Sequence, residues 1–221
     1  MDDQPLIFAD RTEAGRLLAD HLAPRNYVAP VIYALPRGGV PVAFEVASRL
    51  NAPLDLALVR KVGAPNNPEL ALAAVMDGDH PITVVNEDIM RLTGATEDYL
   101  RRAAAVELAE IERRRRLYFG DRPRPSPRGR TVIIVDDGLA TGATARVAVR
   151  GLRGQGAAKV ILAAPVAPPE TAALLRNEVD ELVCLTQPDR FAGVGAFYGD
   201  FHQLTDEEVL ALLARAAAFG T

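Results

Sequence analysis

The residues with the clearest chemical potential are two adjacent carboxylates, Asp136 and Asp137. They follow the apolar run Val132 to Val135 and precede the small-residue turn Ala140-Thr141-Gly142-Ala143-Thr144. Ionised carboxylates accept hydrogen bonds from hydroxyls. A turn of small residues lets backbone N–H groups wrap a phosphate where a helix begins. The segment therefore offers acceptors for hydroxyls and donors for an anion, which is what a phosphorylated sugar requires. Four consecutive β-branched residues read as a central parallel strand covered on both faces, and open α/β sheets bind ligands beyond the carboxyl ends of their strands. A Rossmann-like or other phosphate turn is the plainer alternative, and it leaves the paired acids unexplained.

Three further stretches hold candidate side chains. Leu35-Pro36-Arg37-Gly38-Gly39-Val40 sets one guanidinium and two glycines at a helix entrance, a combination suited to a pyrophosphate, although any tight turn uses glycine. Arg60 and Lys61 follow the next expected strand, and the segment 63–70 (GAPNNPEL) has the composition of an adjustable polar lid; an inert loop beside a solvated Arg-Lys pair is the bland counterpart. The tail 187–203 gathers Phe191, Phe197, Tyr198 and Phe201, rings that suit stacking on a planar base or packing in the core. His202 is open to the same two readings, whereas His21 and His80 read as surface residues.

Four consecutive arginines, Arg113 to Arg116, invite a nucleic-acid reading. Glu110 with Arg114 and Glu112 with Arg116 fall at i,i+4 in the favourable order, so a solvated helix end explains the run more simply. A nucleic-acid surface would need the arginines to converge on one face.

The elements that must position these groups alternate. Apolar spacing predicts a helix over 11–23, a strand at Val31 to Leu35, a helix ending near Leu50, and a strand at Leu54 to Val59, which together make a parallel βαβ unit. Ala71 to Met76 and Ile82 to Val85 read as a hairpin. Thr96 is placed to cap a long helix that carries acids in its first turn and Arg113 to Arg116 near its end, with Gly120 beyond. A proline-rich connector, Arg122 to Arg130, returns the chain to the central strand. Helix 143–153, strand Val160 to Ala164, a helix from about Pro168, strand Glu181 to Leu185 and helix 206–218 complete the pattern.

With 221 residues and 49% hydrophobic content, the chain is long enough for one well-buried domain, read as 1–221. A net charge of −4 gives no electrostatic footprint for general nucleic-acid binding. The single cysteine, Cys184, has no internal disulfide partner and sits in an apolar run that suggests core packing. The first ten residues are acidic where a signal peptide needs a basic region, and no apolar run reaches the ~18 residues of a membrane span, so a cytoplasmic protein that contacts no membrane is expected.

The strand, the acid pair and the Thr-Gly-x-Thr-like turn resemble the signature of the type I phosphoribosyltransferases. The resemblance implies an α/β fold with a central, mostly parallel sheet flanked by helices, a small hood (here 186–204) and, particular to this chain, a helical insertion over 86–130. It implies that Asp136 and Asp137 hold the ribose hydroxyls of phosphoribosyl pyrophosphate, that Ala140, Thr141, Gly142, Ala143 and Thr144 bind its 5-phosphate, and that the Arg37, Gly38, Gly39 loop binds pyrophosphate and contains a non-proline cis peptide. Arg-Lys-x-Gly at 60–63 is similar to a pattern of adenine phosphoribosyltransferases and adds Arg60 and Lys61 as pyrophosphate ligands. Phe191 and Tyr198 become acceptor contacts. Mg²⁺ is expected as cofactor, held mainly through the substrate with no direct protein ligand assigned, and a homodimer is expected as the assembly. The acceptor is an unidentified nitrogen nucleophile such as a nucleobase. Gly138 departs from the larger apolar residue usual at its position, and Ala140 stands where oxopurine enzymes carry an aspartate, so adenine and uracil enzymes are the nearer likeness. Two other classes remain compatible: a regulator that binds the sugar pyrophosphate without turnover and contacts nucleic acid, and a sugar-phosphate hydrolase.

Overall fold

The computed structural model describes residues 7–78 and 81–220. His80 and most of the acidic N-terminal segment lie outside them. The chain builds a parallel five-stranded sheet, in the order β2-β1-β6-β7-β8, from β1 (Pro30–Ala34), β2 (Leu54–Leu56), β6 (Thr131–Val135), β7 (Lys159–Val166) and β8 (Glu181–Thr186). From β1 the chain moves outward to β2 on one side, and from β6 it moves outward through β7 to β8 on the other. The order therefore reverses between β1 and β6, and a crevice opens there at the carboxyl ends of the strands.

The strands bury both faces, and alternate residues serve different layers. Ile32, Ala34, Ile133, Val135, Ile161 and Ala163 pack with α1 (Arg11–Leu22), α2 (Gly39–Leu50) and α7 (Asp206–Ala216). Val31, Tyr33, Val132, Ile134, Val160 and Leu162 pack with α5 (Ala143–Gly154) and α6 (Pro169–Arg176). All five residues of β6 are buried, as a β-branched central strand should be. Cys184 lies against the second layer, and burial pushes its thiol up to about 11, in keeping with a packing role.

A second sheet, antiparallel and three-stranded in the order β3-β4-β5, is made of β3 (Val59–Ala64), β4 (Asn67–Met76) and β5 (Ile82–Val85). It corrects two expectations. The strand expected over Leu54 to Val59 is divided: β2 ends at Leu56 and the chain crosses to the second sheet at Val59. The segment 63–70, expected as a loop, is mostly strand, with the reversal at Pro65 and Asn66 and a register irregularity at Gly63. Asn66 takes φ 62°, a left-handed conformation that asparagine tolerates in turns.

The segment 86–130 carries α3 (Glu87–Thr93) and α4 (Glu97–Phe119). Thr96 caps α4 as its position suggested, its hydroxyl accepting from the Tyr99 amide, and Gly120 ends the helix at φ 56°. The proline-rich connector is tied down by its ends: Tyr33 Oη donates to the Pro125 carbonyl at 2.7 Å, Arg124 pairs with Asp77 at 2.7 Å, and Arg130 Nε donates to the Ala29 carbonyl.

The four arginines do not share a face. Arg113 and Arg114 pair with Glu110, and Arg116 pairs with Glu112, all on the solvent side. Arg115 points inward and forms a two-pronged bond to Asp55 of β2, at 2.9 and 3.1 Å, with both side chains under a tenth exposed. Three arginines thus form the expected solvated helix end, and the fourth locks the insertion to the main sheet. Arg115→Met should cost about 3–5 kcal/mol, because it strands the Asp55 carboxylate in the interior. Arg116→Met should cost no more than ~0.5 kcal/mol, as for exposed pairs. Urea denaturation of the two variants checks the contrast.

Candidate functional site

The crevice at the β1–β6 junction is closed from below by backbone alone. The Leu35 amide donates to the Val135 carbonyl at 2.9 Å, carrying the β1–β6 ladder one residue past the strand ends. The chain then turns through a cis Pro36–Arg37 peptide bond, at the position expected for one. Gly38 and Gly39 follow at a separation no side chain allows: a Cβ on Gly38 would lie 2.0 Å from Asp137 Oδ2, and one on Gly39 would lie 2.6 Å from the Val135 carbonyl oxygen. The two glycines are there because the loop after β1 rests directly on the acids after β6.

The turn beyond the acids is held equally firmly. The Leu139 amide donates to the Val166 carbonyl, and Thr171 Oγ1 donates to the Ala140 carbonyl at 2.7 Å. Gly142 opens α5 at φ 70° and has no side chain to cap it; only the Ala143 amide meets a nearby hydroxyl, Thr141 Oγ1 at 3.4 Å. First-turn amides without such a cap suit an anion, and the helix dipole favours one there. Asp136 and residues 138–145 line one recess of about 170 Å³. Thr141, Ala143 and Thr144 are exposed at its mouth.

Within this frame the two acids have different surroundings. Asp136 is partly enclosed, and one of its oxygens accepts the Asp137 amide at 2.9 Å. Burial and then the neighbouring Asp137 carboxylate push its pKa well above the ordinary carboxylate range. Asp137 is buried and turned away from the recess: its Oδ2 accepts from Arg11 Nε at 2.8 Å. Tyr198 Oη donates to the Asp137 backbone carbonyl at 2.6 Å.

Of the residues singled out from sequence, Asp136 and Ala140 to Thr144 come together around one recess, with Gly38 and Gly39 packed against the acid pair. The Arg37 guanidinium is directed to Asp206, at 3.8 Å. Arg60 and Lys61 stand on β3 of the second sheet, where Arg60 pairs with Glu107 of α4 and Lys61 with Glu69 of β4. Phe191 stacks on Phe197 at 5.6 Å. Tyr198 differs from the expected stacking surface: its ring is buried between Phe8 and Phe201 and its hydroxyl is occupied by Asp137. His202 is exposed and bridges Asp200 and Glu208, and those two hydrogen bonds raise its pKa. The absence of a side chain at Gly138 is matched by the tail, since a Cβ there would meet Val194 at 2.5 Å.

Sequence reasoning missed Arg11. Asp10 caps α1 through the Glu13 amide, which puts Arg11 in the first helical turn. A cation is unfavourable there with respect to the helix dipole. That local conflict is a signal that a distant partner holds the residue, but the partner, 126 positions away, has no local mark.

With this geometry in place, the comparisons with known proteins agree. A phosphoribosyl transferase domain model matches residues 9–201, and the chain belongs to that family. Two Mycobacterium tuberculosis proteins, named "Putative phosphoribosyl transferase MT0597" and "Putative phosphoribosyl transferase Rv0571c", are each 45% identical over 210 residues, which is 95% of this chain and 47% of each relative. The chain thus spans about half the length of these curated relatives. The crystal structure of TT1426 from Thermus thermophilus matches with a TM-score of 0.81 and 45% identity, covering 96% of this chain and 100% of that one. The fold is that of the type I phosphoribosyltransferases.

The raised pKa of Asp136 has a consequence for stability. A carboxyl whose folded pKa lies above its unfolded value weakens the folded state as pH rises between the two, because the folded chain then binds more protons. Asp136→Asn removes that cost while keeping an oxygen for the Asp137 amide. In the ligand-free protein it should raise the melting temperature at pH 7 by a few degrees, at about 2–4 °C per kcal/mol for a chain of this size. The gain should shrink as pH falls toward the unfolded carboxylate pKa, and thermal melts across that range measure it.

Proposed function

We propose that this domain transfers a 5-phosphoribosyl group from phosphoribosyl pyrophosphate to an acceptor nitrogen, with Mg²⁺ as cofactor. The observation that carries the reading is a single one: the Asp136 carboxylate and the first turn of α5, whose N-cap residue Gly142 offers no side chain, share one recess at the reversal point of the sheet. A ribose 5-phosphate presents hydroxyls to the acid and phosphate oxygens to the amides. The side chains present also fit a hard cation, since the Asp136 carboxylate and the Thr141 and Thr144 hydroxyls offer oxygen and the recess has no thiolate or imidazole. The ion would be held mainly by the substrate's own oxygens and would neutralise the departing pyrophosphate.

The residues' tasks follow from charge. As C1 parts from pyrophosphate it takes on oxocarbenium character, so catalysis rests on positioning and on stabilising the leaving group, and no protein nucleophile is needed. Thr141 to Thr144 anchor the 5-phosphate, and Asp136 with Asp137 fixes the ribose end. The Arg37-Gly38-Gly39 loop, Arg60 and Lys61 are assigned to pyrophosphate. The acceptor is a small molecule with a nucleophilic nitrogen, such as a nucleobase, and Ala140 favours one without the oxopurine pattern; Phe191 is the assigned contact. A homodimer in the cytoplasm is the assembly we assign. Among the described residues no helix is long and apolar enough to cross a membrane.

Calorimetric titration with phosphoribosyl pyrophosphate, with and without Mg²⁺, tests the reading against Asp136→Asn/Asp137→Asn. The native chain should bind in a Mg²⁺-assisted manner, and the double variant should lose at least about 100-fold, from the loss of charged hydrogen bonds. Pyrophosphate release should then require an acceptor from a panel that includes adenine and uracil. Binding without release in any acceptor's presence would instead identify a non-catalytic regulator, and acceptor-independent release of ribose phosphate would identify a hydrolase. No binding by the native chain would refute the proposal.

A further inference from the structure

We infer that Arg11 is a positioning residue for the phosphoribosyl site, acting through Asp137 and bracing the chain's tail against the end of β6. The inference rests on the function proposed above. Arg11 stands at the start of α1 with its side chain 9% exposed, and its guanidinium faces the Tyr198 ring at 6.0 Å. Nε donates to Asp137 Oδ2 at 2.8 Å, Nη1 donates to the His202 carbonyl at 3.0 Å, and the group lies 3.9 Å from the centre of the Phe201 ring. A planar fork of donors suits such a junction, where a lysine ammonium would meet the contacts only one at a time.

The position of Asp137 is thereby fixed on every side. Its carboxylate is wedged between Arg11 and the Cα of Gly38, and its backbone carbonyl is taken by Tyr198. Arg11 and Tyr198 come from segments far apart in sequence, and those segments are themselves joined. The Phe8 amide donates to the Phe197 carbonyl, the Gly199 amide donates to Phe8, and the Asp200 amide donates to Ala9. The two segments form a bracket that reaches Asp137 twice, through Tyr198 at its backbone carbonyl and through Arg11 at its carboxylate, and Arg11 supplies the charge. Without that cation, Asp137 is a second unpaired carboxylate beside Asp136, at the spot where a polyanionic substrate must bind. It would then repel the substrate and, no longer fixed, release the Gly38 loop resting on it.

A double-mutant cycle on affinity for phosphoribosyl pyrophosphate with Mg²⁺ tests this, using the native chain, Arg11→Met, Asp137→Asn and the two combined. Each single change should weaken binding roughly tenfold, the scale of one charge-assisted bond. The combined variant should be no weaker than the weaker single variant by more than about twofold, since both changes remove one contact. Losses that multiply to about 100-fold would show two independent effects and overturn the inference. Should Arg11→Met fail to fold by circular dichroism, Arg11→Lys takes its place. Keeping the cation, it should bind within about threefold of native despite a lower melting temperature; a tenfold loss in a folded Arg11→Lys would overturn the inference. Native chain that does not bind refutes the function itself, and the inference with it, before any variant is made.

Discussion

At the ends of β1 and β6 two backbones meet at a distance that side chains forbid, and the site is built on that approach. The ladder between the strands runs from Pro30 opposite Thr131 to Ala34 opposite Val135, then gains one more bond from the Leu35 amide. Because β1 and β6 are also where the strand order reverses, the helices that follow them, α2 and α5, lie on opposite faces and leave the strand ends open. Gly38 and Gly39 let the first loop settle on the acids, and the cis Pro36–Arg37 bond belongs to the same turn. The acid and the turn are held by bonds within the protein, from the Asp136 amide to Ala163, from the Leu139 amide to Val166 and from Thr171 to the Ala140 carbonyl, so both are placed before any ligand arrives. Preorganisation of that kind is what a reaction depending on position and charge requires.

The local parts of this arrangement were legible in the sequence because their causes are local. A β-branched run makes a buried strand whatever surrounds it, Thr96 and Gly120 bound α4 by cap chemistry, and the paired acids with their small-residue turn are consecutive. Glu110 with Arg114 and Glu112 with Arg116 likewise form the pairs that helical spacing predicts. What sequence could not convey is where a side chain points when its partner is far along the chain. Arg115 sits among three solvated arginines and differs from them only in facing β2. Tyr198, read as a stacking surface, turns out to be a buried support for Asp137, because the N-terminal residues Phe8 and Ala9 fold over it from the far end of the chain. The 63–70 segment looked like a loop on composition, yet cross-strand bonds with the rest of β3 and β4 override weak local propensity.

The acid pair shows the same principle in electrostatics. Adjacent in sequence, Asp136 and Asp137 point to different neighbours, one into the recess and one into a cationic cradle. Two like charges this close cannot both be comfortable in a partly dry site. The fold resolves the conflict by pairing one of them with Arg11, and it leaves the other in a state that is unfavourable in the free protein. Under the proposed reading, ribose hydroxyls that donate to Asp136 favour its charged form and so offset the effect of burial and of Asp137.

The remaining charges can be sorted by how readily they exchange partners. Arg11 with Asp137 and Arg115 with Asp55 are buried on both sides, and breaking either leaves an uncompensated charge in a poorly solvated place. They are fixed points. Lys61 with Glu69 is different: the lysine is 43% exposed and the glutamate 93%, so water already competes for both and the pair is worth about 0–1 kcal/mol. Arg37 with Asp206, at 3.8 Å, is looser still. Phosphoryl oxygens accept charge-assisted bonds from such cations as a carboxylate does, and a pyrophosphate offers more of them at once. Under the proposed reading, then, the pairing of Lys61 and Arg37 in the free protein is no obstacle to their holding pyrophosphate. Lys61 lies on a hairpin of the second sheet, whose strands share the core with the five that carry the recess. That sheet packs on α5, where Met76 and Ile82 meet Gly151, so under the proposed reading Lys61 exchanges partners by side-chain motion while the acid and the phosphate turn stay in place.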